Sequence, residues 1–377
     1  MAARAALQTA EFLLAYLRRD DGLFATSLDA DTDGVEGATY LYTRQRIAAA
    51  LGPDSARDTD WICALLGVDD TEVTGGGAVP TLHREPEDTA RFLRVRRRLA
   101  AARARDPQPG RDETATTAGT AMAATALIET ADLLPDGSAR QLHAAAVEAI
   151  LGIGRVHRAP DGTFLRHRGG GAATLSDLAW LALGASRAAA SGSCVGDGET
   201  VTACLRIVRD SLGQILDSHT DPDNPGTYFD GGAAVPVLGL RTRDPFDTAV
   251  PSGVAVAGEA FLTAATVISA TGDPDTAKRW EEAAGGILAV HGEVARTRPL
   301  QSGGWLSLGE VAARGLTRAV VSAPNRKALG RLRGQLDSAA VVLGAGVSGI
   351  RVDGQPCDDG PHVQICRDGV CGRLVPL

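Results

Sequence analysis

Along most of the chain, apolar residues recur every three to four positions among Ala, Arg, Asp and Glu. That is the period of an α-helix with one buried face. The pattern predicts helices over residues 3–19, 86–105, 116–134, 138–157, 175–190, 201–218, 252–271 and 275–291. Asp136-Gly137 before Ser138 and Asp273-Pro274 before Asp275 supply helix starts. Polar or glycine-rich segments separate the helices, so the rhythm predicts repeated antiparallel pairs. An α/α toroid or solenoid accommodates them, with an irregular helical bundle as the simpler competitor.

The last sixty residues change period. Residues 318–323 and 339–344 read as strands around a helix at 325–336, a compact β-α-β element. Asp368-Gly369 predicts a two-residue hairpin turn closed by Arg367 and Val370. Cys366 then faces Cys371 in a non-hydrogen-bonded pair, close enough for a cross-strand disulfide. A reduced pair packing a small sheet is the reading a cytoplasmic chain favours. The expected fold is mostly α, an incomplete toroid over residues 1–300 with a small α/β domain over 301–377. The boundary falls near residues 296–304.

Composition adjusts this picture only slightly. The chain has 377 residues, 44% hydrophobic and 22% charged, as expected of a globular protein. A net charge of −8 without a long Lys/Arg tract argues against nucleic acid and anionic membranes as main partners. The Arg94-Val-Arg96-Arg97-Arg98 run sits in a helical pattern and reads as a solvated face. No run approaches the length of a membrane span. Leu7, Ala10, Leu14 and Leu17 are interleaved with Arg4, Glu11 and Arg18, so the first twenty residues do not form a signal-peptide core. Six cysteines without a CxxC complete the expectation of a cytoplasmic protein.

Candidate chemistry concentrates between Phe24 and Tyr40, where Asp29, Asp31, Asp33 and Glu36 fall within eight residues. Carboxylates so close repel one another, and a site handling protons, a cation or hydroxyl groups has use for them. Asp29-x-Asp31-x-Asp33-Gly34 copies the first half of a calcium loop, but its twelfth position is Tyr40 rather than glutamate, so no metal is expected. As an acid/base pair, Asp31 and Glu36 need one buried and one solvated carboxyl. The same aspartates also match the short acidic motif of protonating terpenoid cyclases. In a purely structural role they cap a tight loop through backbone N–H groups.

Elsewhere the candidates are sparser. Asp112-Glu113 opens the helix expected near Thr116, where complementarity to the helix dipole is sufficient reason for two acids. Asp177 and Trp180, three apart on one helix, pair an acid with a stacking face or simply join the core. Asp230 and Asp247 flank a Gly/Pro-rich section, Ser252 suits an N-cap, and Glu259 lies within the helix that follows. His83, His157 and His167 lack metal-ligand spacing. Pro251-Ser252-Gly253 lacks the G-x-S-x-G elbow, and Gly169-Gly170-Gly171 reads as a connector. Calcium, nucleotide and flavin signatures are wanting, so no cofactor is expected.

These residues, in order, resemble one family. Gly22-Leu-Phe24 through Tyr42, with Asp29, Asp31, Gly34, Glu36, Gly37 and Tyr40, is similar to a Gly-Gly-Phe-Tyr-Ser-Ala-x-Asp-Ala-Asp-Ser-Glu-Gly-Glu-Glu-Gly segment. Gly75-Gly76-Gly77 with Leu82-His83, Arg111-Asp112-Glu113, Phe229-Asp230, Pro245-Phe246-Asp247 and Pro251-Ser252-Gly253 follow in register. Val352-Asp353-Gly354-Gln355-Pro356 and Cys366-x4-Cys371 close the series. The chain thereby resembles the C-terminal part of the thioredoxin-domain-containing, spermatogenesis-associated protein family. The resemblance implies an (α/α)6 toroid related to N-acylglucosamine 2-epimerase and six-hairpin glycosidases, with about four of the six hairpins and no thioredoxin-like domain. Thr116-Thr117-Ala118-Gly119-Thr120 stands where the family has Thr-x-Trp-Asn-Gly, and Thr114 and Val254 replace a lysine and an asparagine.

The expectation is an enzyme acting on a sugar or sugar-like metabolite. Asp29, Asp31, Glu36 and Asp112 would be its catalytic candidates, with Tyr40, Glu113, Asp177, Trp180, Asp230, Asp247 and Ser252 contacting substrate. The alternatives are a non-catalytic subunit completed by a second chain or copy, and a scaffold repurposed for cyclisation or rearrangement. A broken ring exposes apolar end faces, so a homo-oligomer or a second chain completing the toroid is expected, homodimerisation being the simplest solution.

Overall fold

The computed structural model describes residues 2–68, 76–134, 136–232, 240–324, 326–336, 339–352, 360–367 and 370–377. Gly75, residues 353–356 and the Asp368-Gly369 turn lie outside them. The protein is mostly α-helical with a small C-terminal sheet. It forms two compact units, Ser27–Glu113 and Met1–Thr26 together with Thr114–Leu377.

The larger unit opens with α1 (Ala2–Phe12), which runs into a wider turn at Leu13–Leu17. The chain then enters the smaller unit. Its strands are two residues long: β1 (Ser27–Leu28), β2 (Asp31–Thr32) and β3 (Val35–Glu36). Helices α2 (Arg44–Leu51), α3 (Ala56–Leu66) and α4 (Thr89–Arg103) follow, then β4 (Arg111–Asp112), which pairs with β1. Ile47, Leu51, Ile62, Val95 and Leu99 give this unit a core of its own. Neither α2 nor α3 stands out in the apolar pattern, because each is too short to complete more than two or three turns.

Back in the larger unit, three helical hairpins follow one another. They are α5 (Thr117–Leu133) with α6 (Asp136–Val156), α7 (Leu175–Cys194) with α8 (Gly198–Ser218), and α9 (Gly253–Ala270) with α10 (Pro274–Thr297). The first helices α5, α7 and α9 pack side by side, and each second helix packs on its own partner. Helix α11 (Gly303–Arg314) lies against α9 and α10. Ser252 and Asp273 start their helices as the sequence predicts, accepting backbone N–H groups; Thr116 and Thr174 cap α5 and α7 in the same way, and α6 begins at Asp136 rather than Ser138.

The C-terminal element is a sheet of β5 (Thr317–Val321), β6 (Val341–Gly344), β7 (His362–Arg367), β8 (Val370–Cys371) and β9 (Val375–Pro376), in the order β6-β5-β7-β8 with β9 also on β7. Strands β5 and β6 are parallel and joined through α12 (Arg326–Arg333), the predicted β-α-β. Strand β7 is antiparallel to β5, and β8 returns along β7. Cys366 is opposite Cys371, and Gly372 N donates to Ile365 O (2.9 Å), which makes the cysteines the non-hydrogen-bonded pair. They are joined as a disulfide, in place of the reduced pair that the cytoplasmic reading favours.

Helix α7 explains how the larger unit closes. It has α5 and α9 at its sides, α8 behind and β6 in front, so residues on every face are buried. Only small residues allow four neighbours to approach, which accounts for its Ala, Gly and Ser content. Gly344 N donates to Ser193 Oγ (2.8 Å), and a Cβ on Gly344 would overlap the Ser193 carbonyl. Helix α9 is long and apolar enough to cross a membrane, yet two thirds of it is buried, as suits a core helix.

Candidate functional site

The acidic segment proves to be a hairpin. Asp33 and Gly34 both have positive φ (54° and 77°), the two-residue turn that an Asp-Gly pair favours. Asp31 therefore lies opposite Glu36, and Thr32 opposite Val35. Asp29 receives the Asp31 N–H on its side chain (3.2 Å) and donates its own N–H to Gly110 O (2.7 Å). Arg46 ties the following turn by donating to Ala38 O (3.0 Å) and Leu41 O and pairing with Asp106 (2.6 Å). Asp29, Asp31, Asp33 and Glu36 are all exposed. Tyr40 is 37% exposed, with the Arg103 guanidinium over its ring.

Asp112 lies in β4 opposite Ser27, and Glu113 pairs with Arg111 (2.7 Å). This corrects the expectation that the two acids open α5. The helix begins at Thr117 with no acid in its first turn, because Thr116 caps it. These residues and the acidic hairpin belong to the smaller unit. Asp177, Trp180, Asp230, Asp247 and Ser252 belong to the larger one.

There they gather at the starts of the first helices, most of them fully engaged. Asp177 is 1% exposed; one oxygen accepts Ala118 N (2.9 Å), the other Thr174 N (2.9 Å) and the Thr174 hydroxyl (2.8 Å). It pins the start of α7 to the start of α5. Asp247 accepts Ser252 N (2.8 Å) and Gly304 N (2.7 Å), pinning α9 to α11. Asp230 joins the row through its carbonyl, which accepts Leu175 N (2.8 Å). Ser252 caps α9, and Trp180 packs against the main core. His157 closes the same end: its Nδ1 lies 2.8 Å from the Thr117 hydroxyl, which donates to Leu165 O (2.7 Å). A hydroxyl has one hydrogen, so with that hydrogen on Leu165 O the contact is made by Nδ1–H of His157. Burial first, then the neighbouring His167, push the His157 pKa down to about 4.

The chemistry that stands open lies farther along the same helices. A cavity of about 210 Å³ is lined by Glu129 of α5, Arg187 of α7, Glu259 of α9 and Glu310 and Arg314 of α11, with Ala339 ahead of β6. Arg187 is 5% exposed. Its Nε is 3.5 Å from Glu129, and its Nη1 makes only long contacts to Ala339 O (3.4 Å) and Ala340 O (3.3 Å). Buried guanidinium donors are costly when poorly satisfied. Glu259 is partly buried, and desolvation raises its pKa above the ordinary carboxylate value, against the pull of Arg187 and with the push of Glu129. Glu129 is half-exposed, and Glu310 is paired with Arg314 (2.9 Å).

No protein-family model matches this chain, and no curated protein matches it. The chemistry of the site therefore stands on its own residues.

Of the residues weighed from the sequence, Glu259, as well placed there for the surface as for a ligand, lines the cavity, and none of the expected catalytic or substrate-contacting residues does. A sequence signal was nevertheless present: Arg187 is the only charged residue of α7 after Asp177, and Glu259 the only one in α9. A single charge in an otherwise uncharged buried helix needs a partner or a cavity. Among the described residues, no group of three or more His, Cys, Asp or Glu is gathered as a metal site.

Proposed function

We propose that the protein is a cytoplasmic enzyme of the toroid epimerase type, which moves a proton on a sugar or sugar-like metabolite inside the Glu129–Arg187–Glu259 cavity. The observation carrying this reading is that two carboxyls, the half-exposed Glu129 and the desolvated Glu259, flank a buried, poorly satisfied guanidinium. A carboxyl whose pKa is raised by burial, set beside a cation and a second carboxyl in one cleft, suits acid and base roles. Glu129, half-exposed, serves as the base that removes a proton beside the carbonyl of an open-chain sugar. Arg187 stabilises the enediolate oxygen as charge develops on it. Glu259, inclined to hold its proton, returns one to carbon from its own side.

The test is deuterium exchange. Aldoses and ketoses, including N-acylated amino sugars, are incubated with the protein in deuterated water and followed by proton NMR. Loss of a single carbon-bound proton signal is expected with at least one sugar, abolished in Glu129→Gln and Glu259→Gln variants whose circular dichroism is unchanged. Exchange that survives both variants would remove the acid/base assignment.

A second reading has its own support. Around the last hairpin, Val290, Leu300 and Leu306 are 44%, 100% and 52% exposed. Exposed apolar residues on the last helix of the row and the segment after it suit docking of a second copy or a completing chain. Native mass spectrometry separates a lone monomer, which counts against this reading, from an assembly.

A further inference from the structure

We propose that Cys366–Cys371 is a thiol–disulfide exchange site for small-molecule thiols, activated by Arg318. The three residues form a row across adjacent strands: Arg318 on β5 is in register with Cys366 on β7, which is in register with Cys371 on β8. One guanidinium nitrogen, Nη2, lies 3.6 Å from Cys366 Sγ and 3.7 Å from Cys371 Sγ. The other, Nη1, is held by Ser269 Oγ at the end of α9 (2.7 Å). A cation fixed against both sulfurs lowers the energy of whichever thiolate is released, and a better leaving thiolate departs faster.

Access and room are both present. Cys371 is partly buried, whereas Cys366 is 2% exposed. Arg318 and Cys366 line a cavity of about 590 Å³ shared with Leu262, Thr266, Glu281 and Leu288. In the exchange, an incoming thiolate attacks Cys371 Sγ and forms a mixed disulfide. The Cys366–Cys371 bond breaks, and its electron pair leaves with Cys366 Sγ as a thiolate beside Arg318. A second thiol attacks the outer sulfur of the mixed disulfide, releasing the oxidised small disulfide and the Cys371 thiol. Two small thiols are thus oxidised as the protein pair is reduced, and the reverse sequence restores the bond. The cavity gives the separated Cys366 sulfur space to turn away from its former partner. Disulfides in reducing compartments are chiefly transient ones of this kind.

Background reactivity is low at two other sulfurs: burial pushes the Cys194 and Cys204 thiols up to about 12. The charges on the cavity beside the pair are Arg318 on β5 and Glu281 on α10; Arg367, next to Cys366 in β7, belongs to the opposite face of the sheet.

The experiment uses the full chain carrying Cys357→Ser, equilibrated in buffers of reduced and oxidised glutathione. Samples are acid-quenched and alkylated, and labels are counted by intact mass. Two labels are expected to appear and disappear together while circular dichroism stays constant. In Arg318→Gln, reduction at neutral pH should slow about tenfold and the alkylation rate of the reduced pair should rise only at higher pH, with Arg318→Lys restoring both. The proposal is overturned by a bond that yields only on unfolding, by a pair that stays reduced in oxidised glutathione, or by an Arg318→Gln rate and pH profile equal to wild type. Should Arg318→Gln lose its fold, Arg318→Lys and Ser269→Ala carry the test, the first because it keeps the charge and the second because it removes the bond that holds Nη1; rates equal to wild type in Ser269→Ala together with no rescue by Arg318→Lys also overturn the proposal.

Discussion

Single side chains in this protein do opposite things with the same functional group. Asp177 and Asp247 spend both carboxylate oxygens on backbone N–H groups and act as staples between helix starts. Glu259 is desolvated without such donors, and its proton is held more tightly. The consequence for stability has a definite sign. As pH rises past the ordinary carboxylate value, the unfolded chain releases this proton first, so the folded state binds more protons and stability declines. Glu259→Gln should therefore match wild type at pH below 4 and exceed it at neutral pH, as read by urea unfolding across the range. His157 works from the other side. With a folded pKa of about 4, it makes the unfolded state the better proton binder as pH falls below about 6.5. Acidification through that window should cost on the order of 3 kcal/mol at this site. His157→Gln should flatten that part of the curve, and an equally steep loss in the variant would assign the acid sensitivity elsewhere.

Among the elements, α7 carries the architecture. Its neighbours approach on four sides, and the approach of β6 depends on Gly344 lying against the backbone of Ser193. A carbonyl in a packed helix cannot move aside as a flexible side chain does. Gly344→Ala should accordingly cost about 1–3 kcal/mol or more. A lowered melting temperature with preserved helical signal is the expected observation, and an unchanged melting temperature would mean the strand shifts freely. The short hairpin β2–β3 shows a different logic, since Asp33-Gly34 alone sets the turn and the register that follows. Asp33-Gly34 carries the same turn signal in the sequence as Asp368-Gly369, and the acids around it sit on a hairpin with their side chains exposed to solvent.

For the whole molecule, the division into Ser27–Glu113 and the remainder has a measurable counterpart. The smaller unit depends on a modest core in which Ile62 is fully buried. Ile62→Ala should remove about 2–4 kcal/mol from that core. Hydrogen exchange followed by mass spectrometry should then show lost protection across residues 27–68 and 76–113, with α7 and α9 still protected. Lost protection throughout the chain would instead mean that the two units open as one.

What the sequence determined by itself was local. All eight predicted helices occur, together with the C-terminal β-α-β and the pairing of Cys366 with Cys371, because periodicity, caps and turn residues act over a few positions. The short α2 and α3 escaped, having too few turns for a period to emerge, and α11 was not read as a helix either. Only the tertiary structure decided which acids are occupied and which stand open. Asp177 and Glu259 are each the single acid of an apolar helix; one finds three donors in neighbouring segments, while the other faces a cavity made by four helices. Burial and hydrogen-bond partners come from residues far apart in the chain, and those two quantities set what a carboxyl or a cysteine does.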